Sequence, residues 1–147
     1  MTAIRTAGPE DLEEILAMVR ELAEFEQLTD EVVFDRDEFG EHLFGDRAVA
    51  SVLIAEVDGR TAGMALWFPT FSTFLGRAGI WLEDLYVRTE HRGQGIGTAL
   101  LHHLRSMTTG RVEWSVLDWN ERAIEVYRGL GARPLDGWTT YRWLPEP

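Results

Sequence analysis

The sequence contains no cysteine and no lysine. The first absence excludes disulfides, thiolate metal sites and any cysteine-bound acyl intermediate. It fits a cytoplasmic setting, which is the expected compartment. The second excludes lysine Schiff bases and the lysine of an ATP-binding phosphate loop. All 14 basic residues are therefore arginine, set against 25 Asp and Glu for a formal charge of −11. Codon bias in a GC-rich genome accounts for missing lysine without any functional cause. Long apolar runs are absent too, since none nears the roughly 20 residues that span a bilayer. The opening "MTAIRTAGPEDLEEI" turns acidic where a signal peptide should be apolar, so no export is expected. An acidic surface repels phosphate backbones, which makes nucleic acid and membrane unexpected partners. A cationic small molecule suits it better, although a merely solvated acidic surface has the same composition.

What is present suits one domain over residues 1–147. The chain is 45% hydrophobic and shows no linker, repeat or low-complexity stretch. "TAIRTA" reads as a short strand. Gly8-Pro9 then opens a helix, with Pro9 at its first position and Glu10 and Asp11 in its first turn. Leu12, Ile15, Leu16, Val19, Leu22 and Ala23 form its apolar stripe. "DRDEFGEHLF" predicts a second, shorter helix weakened by Gly40. "VASVLIAEV" and "TAGMALWFP" flank Asp58-Gly59, a hairpin signal. "AGIWLEDLYV" is apolar enough for a central strand, and a helix follows from about Ile96 to Met107. "RVEWSVLDW" reads as a strand and "NERAIEVYRGLG" as a helix, with Gly131 at its C-terminal cap. "TTYRWL" is expected to close the sheet. The fold class is α/β (α+β).

Glycines shape the stretch "HRGQGIGTALLHHL". Glycine lets backbone approach a ligand, and a helix start offers unpaired N–H groups and a partial positive charge. The turn is therefore an anion seat. Gly93, Gly95 and Thr98 break the dinucleotide-binding G-x-G-x-x-G spacing, and without lysine there is no P-loop. What remains is Arg-x-x-Gly-x-Gly, here Arg92-Gly93-Gln94-Gly95-Ile96-Gly97, between a strand and a helix.

That pattern resembles the pyrophosphate loop of the GNAT N-acetyltransferases, and "DWNERAIEVYRGLGA" resembles a later motif of the same superfamily. "LEDLYV", "LDWN", "ELAEFE", "FGEH" and "DGW" are similar to the diamine acetyltransferase branch, which includes spermidine/spermine and thialysine enzymes. The resemblance runs from Ile4 to about Trp143. It implies a mixed, mostly antiparallel sheet of six to seven strands with about four helices and a splayed central strand pair. It also implies acetyl-CoA as cofactor, with its diphosphate on Arg92, Gly93, Gln94, Gly95, Ile96, Gly97 and Thr98. Members of the branch are typically homodimers.

Acetylating an amine makes three demands. An ammonium of pKa roughly 10 must lose a proton, the carbonyl oxygen needs a donor, and the leaving thiolate needs a proton. Glu83 is the first candidate for the base, through a water, and Asp84 the second. An uninterrupted strand puts these two on opposite faces, so only one is expected to point at the substrate. An ion pair with arginine is the alternative for each. Backbone N–H groups over Leu85, Tyr86 and Val87 are the natural oxygen donors. The resemblance makes Tyr127 the acid for the thiolate, where spacing alone would make it a core residue. Asn120 is either an N-cap or a cofactor ligand, and Ala123 accompanies it. With no cysteine, direct transfer in a ternary complex is expected.

By the resemblance, Phe25, Glu26, Glu83 and the segment around Glu113 and Ser115 match family positions around the amine, and Asp136 stands where the polyamine enzymes carry a glutamate, one methylene longer. Ser72 and Phe74 stand where the polyamine enzymes carry an acidic residue and a tryptophan. This departure favours a shorter diamine or a lysine-like amine. A protein N-acetyltransferase and a non-catalytic CoA-binding sensor are the alternatives. His42, His91, His102 and His103 lack metal-ligand spacing and accompanying carboxylates, so no metal is expected.

Overall fold

A computed structural model describes residues 2–147. The chain divides into two compact units, Met1–Ser115 and Val116–Pro147. In the first, strand β1 (Thr2–Thr6) leads through Gly8 into a 3₁₀ turn over Pro9–Asp11, and helix α1 (Leu12–Phe25) follows. Pro9 thus starts a helical segment as expected, but its first turn is the tighter form. Asp11 is buried there, and both of its oxygens accept from Arg5, at 2.7 and 2.8 Å. The Arg5 guanidinium holds this carboxyl below its ordinary range, and the Gly8 N–H adds to the effect.

The α1 stripe is the expected one, with Ile15, Leu16, Leu22 and Ala23 buried and Met18 added to them. Helix α2 (Arg36–Phe44) is capped by Asp35, whose side chain accepts from the Glu38 N–H at 2.9 Å. Gly40 costs helix propensity, yet a Cβ there would lie 3.1 Å from the Leu12 side chain. The glycine therefore lets α2 approach α1 closely.

Strands β2 (Ser51–Val57) and β3 (Arg60–Ser72) join through Asp58 (φ 51°) and Gly59 (φ 78°), two left-handed residues that suit a twisted hairpin. Strand β4 (Arg77–Val87), helix α3 (Ile96–Ser106) and strand β5 (Val112–Glu113) complete the unit. The sheet order is β1-β2-β3-β4-β5. Its first three pairings are antiparallel, and β4–β5 is parallel across the α3 crossover. The middle position falls to β3, with β4 inside the sheet between β3 and β5.

One face of the sheet packs Val52, Ile54, Met64, Leu66 and Tyr86 against Ile15, Met18, Leu22 and Leu43. Alternate residues point the other way. Leu53, Ala55 and Ala65 are buried as well, and α3, with Leu100 and Leu104 fully buried, packs across β2, β3 and β4. Each such leucine contributes about 1.5–3 kcal/mol by leaving water.

In the second unit Asn120 caps helix α4 (Glu121–Gly129) by accepting from the Ala123 N–H at 3.3 Å. Gly131, at φ 91°, closes the helix: its N–H bonds the Arg128 carbonyl and the Ala132 N–H bonds that of Tyr127.

The expectation of six to seven strands is corrected to five. "RVEWSVLDW" pairs only at Val112 and Glu113, and the tail holding "TTYRWL" forms no strand among the described residues. β-Propensity supplies side chains that suit a sheet, but a strand exists only where another edge accepts its hydrogen bonds. No described helix is long and apolar enough to cross a membrane.

Candidate active site

The site grows from an irregularity in β4. Trp67 of β3 faces Leu82 and Leu66 faces Asp84, which leaves Glu83 as an extra residue, a β-bulge. Without it, Glu83 and Asp84 would project to opposite sides. With it, Asp84 stands opposite Leu66, on the face that packs against α1. Trp81 stands opposite Phe68, two residues along β3 from Leu66 and so on that same face. Its indole N–H donates to Glu83 Oε1 at 3.0 Å and draws Glu83 to that side. The expectation that only one of the two carboxylates faces the site is therefore corrected: the bulge presents both together, which an uninterrupted strand could not do.

A third carboxylate comes from the end of α1. Glu26 caps that helix and is half-buried, and burial raises its pKa. Gln27 follows in the left-handed region, at φ 60°, and ends the helix. Asp84 is pushed up to about 6, first by burial and then by the negative charges of Glu83 and Glu26. Like charges are gathered here against their own repulsion. Among the described residues, no arginine forms an ion pair with Glu26, Glu83 or Asp84.

Beyond the bulge, among the described residues β4 pairs with a strand on one edge only. Its pairing with β5 stops at Trp81, opposite Glu113, while β3 continues alongside to Val87. The Arg88 N–H donates to the Ala62 carbonyl at 2.8 Å. By strand alternation the Tyr86 N–H also turns toward β3, whereas those of Leu85 and Val87 turn toward the open edge. The Val87 carbonyl on that edge accepts from Arg92 Nε at 3.0 Å. Tyr86 is buried, and its hydroxyl donates to Glu21 at 3.2 Å.

The glycine turn follows directly. Gly93 and Gly95 adopt φ of 79° and 78°, a region that side chains with a Cβ rarely enter, and space is open where a Cβ would stand. Gly95 begins α3 without any side-chain cap, and no acidic residue occupies the first turn. The first intrahelical bond runs from the Ala99 N–H to the Gly95 carbonyl, so the N–H groups of Ile96, Gly97 and Thr98 precede the ladder. Open space, uncapped donors and the helix dipole fit a diphosphate.

The predicted residues Phe25, Glu26, Glu83, Asp84, Tyr86 and Arg92 thus come together around the C-terminal end of α1 and the bulged end of β4, with Leu85 and Val87 on the open edge. The guanidinium carbon of Arg92 lies 4.8 Å from the Phe25 ring centre and 5.7 Å from that of Tyr86. Glu113 is half-buried beside Trp81 in register, and Ser115 is exposed just past β5. Within the second unit, Asn120 and Ala123 form the cap, Tyr127 is half-buried on α4, and Asp136 is exposed in a turn before Gly137. Sequence reasoning missed Trp81. Its signal was the i, i+2 spacing to Glu83, which puts both on one strand face.

Residues 12–132 match the acetyltransferase (GNAT) family. The chain belongs to the GNAT family of acetyltransferases. This acetyltransferase is 38% identical to the thialysine N-epsilon-acetyltransferase of Sus scrofa, over 97% of its own length and 92% of the relative's. The enzyme of the same description from Mus musculus is 36% identical, over 99% and 94%. An L-ornithine N5-acetyltransferase of Arabidopsis thaliana is 38% identical over 55% of this chain and 37% of its own. Among solved structures, a possible acetyltransferase from Clostridium difficile superposes with a TM-score of 0.82 at 19% identity, covering 100% of this chain and 99% of that one. An integron cassette protein from V. cholerae gives 0.81 at 20%, covering 98% and 93%. At those identities the likeness concerns the fold. The family and the curated relatives make this GNAT protein an N-acetyltransferase.

Proposed function

We propose that this enzyme transfers an acetyl group from acetyl-CoA to a primary amine of a small cation, such as a short diamine, thialysine or a lysine-like amine. The observation that carries the reading is the gathering of Glu26, Glu83 and Asp84 without an arginine partner. Carboxylates held at such cost suit a ligand that brings positive charge with it. The relatives named for thialysine and ornithine act on amines of that class.

Acetyl-CoA, when bound, supplies a thioester whose carbonyl the amine attacks. Gly93 to Thr98 would hold its diphosphate through backbone N–H groups. Leu85 and Val87 would offer their free-edge N–H groups to the arm and to the carbonyl oxygen. Glu83 and Asp84 hold the ammonium and accept its proton, directly or through water. The role of Tyr127 as proton donor to the leaving thiolate, and that of Asn120 in holding the cofactor, rest on the family pattern. Direct transfer in a ternary complex, a homodimeric state and a cytoplasmic location complete the reading.

The test is release of free CoA from acetyl-CoA across thialysine, lysine, 1,4-diaminobutane, spermidine and a peptide amine, with amine-free controls. Saturable release with a short amine is the expected result. Release only with the peptide would replace the reading with protein acetylation. Binding of acetyl-CoA without release would favour a sensor. Tyr127→Phe is expected to lower kcat at least about tenfold with cofactor affinity kept, and unchanged turnover would return Tyr127 to packing.

A further inference from the structure

Arg92 stands in the glycine turn, yet its side chain is committed elsewhere. Its Nε–H is spent on the Val87 carbonyl, and its guanidinium lies over the rings of Phe25 and Tyr86. It makes no ion pair among the described residues, although Glu26 and Asp84 lie one and two positions along the chain from those rings. Buried Leu22 and Ala23, and Glu21 bonded to Tyr86 and Arg88, hold α1 up to its penultimate turn, whereas Phe25 beyond them is 43% exposed and meets Arg92. A flat cation with a fixed donor can stack on two rings and bond a carbonyl at once, which a lysine ammonium cannot.

We propose that Arg92 is a positioning residue of the amine site: seated over Phe25 and Tyr86 and tied to Val87, it fixes the end of α1 against β4 and so sets the spacing of Glu26 from Asp84. The inference rests on the amine-acetyltransferase reading and adds a role for this side chain that is separate from the phosphates. Because Gly93 is the next residue, the turn that seats the anion and the strut that shapes the amine site share one piece of backbone.

Arg92→Lys keeps the charge and loses the stacking and the Nε bond, while Phe25→Leu removes one ring from the other side. The pair and the double variant are compared by steady-state kinetics with acetyl-CoA and the best amine of the panel, and by calorimetry of acetyl-CoA binding. Each single variant is expected to raise the amine KM about tenfold and to leave kcat and the acetyl-CoA Kd within about twofold. The double variant is expected to be no worse than either single one, since both break the same contact. The pH midpoint of kcat/KM should fall in Arg92→Lys as Glu26 withdraws from Asp84.

A raised acetyl-CoA Kd with an unchanged amine KM would assign Arg92 to the anion and overturn the proposal, and so would additive effects on amine KM. Should Arg92→Lys fail to fold, Phe25→Leu decides alone through the same split and pH shift. If the wild-type protein turns over no amine, the comparison is made on binding of 1,4-diaminobutane by calorimetry. Absence of that binding overturns the amine site and this role together, while the acetyl-CoA measurement judges the cofactor reading separately.

Discussion

At Asp84 two effects act in the same direction. Burial strips water from the carboxylate, and Glu83 and Glu26 surround it with like charge, so its pKa is pushed up to about 6. The unfolded value is roughly 3.9, so between the two the folded state holds more protons. The contribution of Asp84 to stability is therefore most favourable below about pH 4 and is lost as pH rises through 6. A two-unit shift corresponds to about 3 kcal/mol as an upper bound, reduced by the water that still reaches the group. Asp84→Asn is expected to raise Tm by roughly 3–6 °C at pH 8 and to leave it unchanged at pH 4, as thermal melts would show. Without that gain at pH 8, the crowding of charge would not be a cost. The same ionisation governs activity. The kcat/KM for amine should rise with pH about a midpoint near 6, and Glu26→Gln should lower that midpoint by removing one of the causes that raise it.

Among the elements, the start of α3 decides cofactor affinity. Gly95→Glu places a carboxylate where uncapped N–H groups point, in a backbone region that costs an L-residue roughly 1–2 kcal/mol. Acetyl-CoA affinity is expected to fall more than about 100-fold, equivalent to about 3 kcal/mol, with circular dichroism unchanged. Gly97→Ala is the control, because a Cβ there meets only Val87 at an ordinary 3.7 Å. Normal binding by a folded Gly95→Glu variant would remove the anion from this turn. Elements of this kind were legible in the sequence, since a cap, a Pro at a helix start, an Asp-Gly turn and an apolar period are short-range properties. Val112–Glu113 was legible only as a β-prone stretch, because how far β5 pairs depends on its partner edge and not on its own residues.

For the whole molecule, a formal charge of −11 acts on both substrates with opposite sign. An anionic cofactor approaches against repulsion and a cationic amine with attraction, and salt screens both. Raising ionic strength from 20 to 300 mM (on the order of a fourfold shorter screening length) is expected to raise the amine KM and to lower that of acetyl-CoA. Parallel changes would show that local contacts, not the overall field, set both. The sequence by itself determined the exclusions, the helices, the hairpin at Asp58-Gly59 and the glycine turn, because each is encoded within a few neighbouring residues. Tertiary structure decided that Glu83 and Asp84 share a face, that β4 keeps an open edge past Trp81 and that Arg92 reaches Phe25. Those outcomes depend on register against β3, on where β5 stops and on contacts across 67 positions of chain, which no local pattern carries.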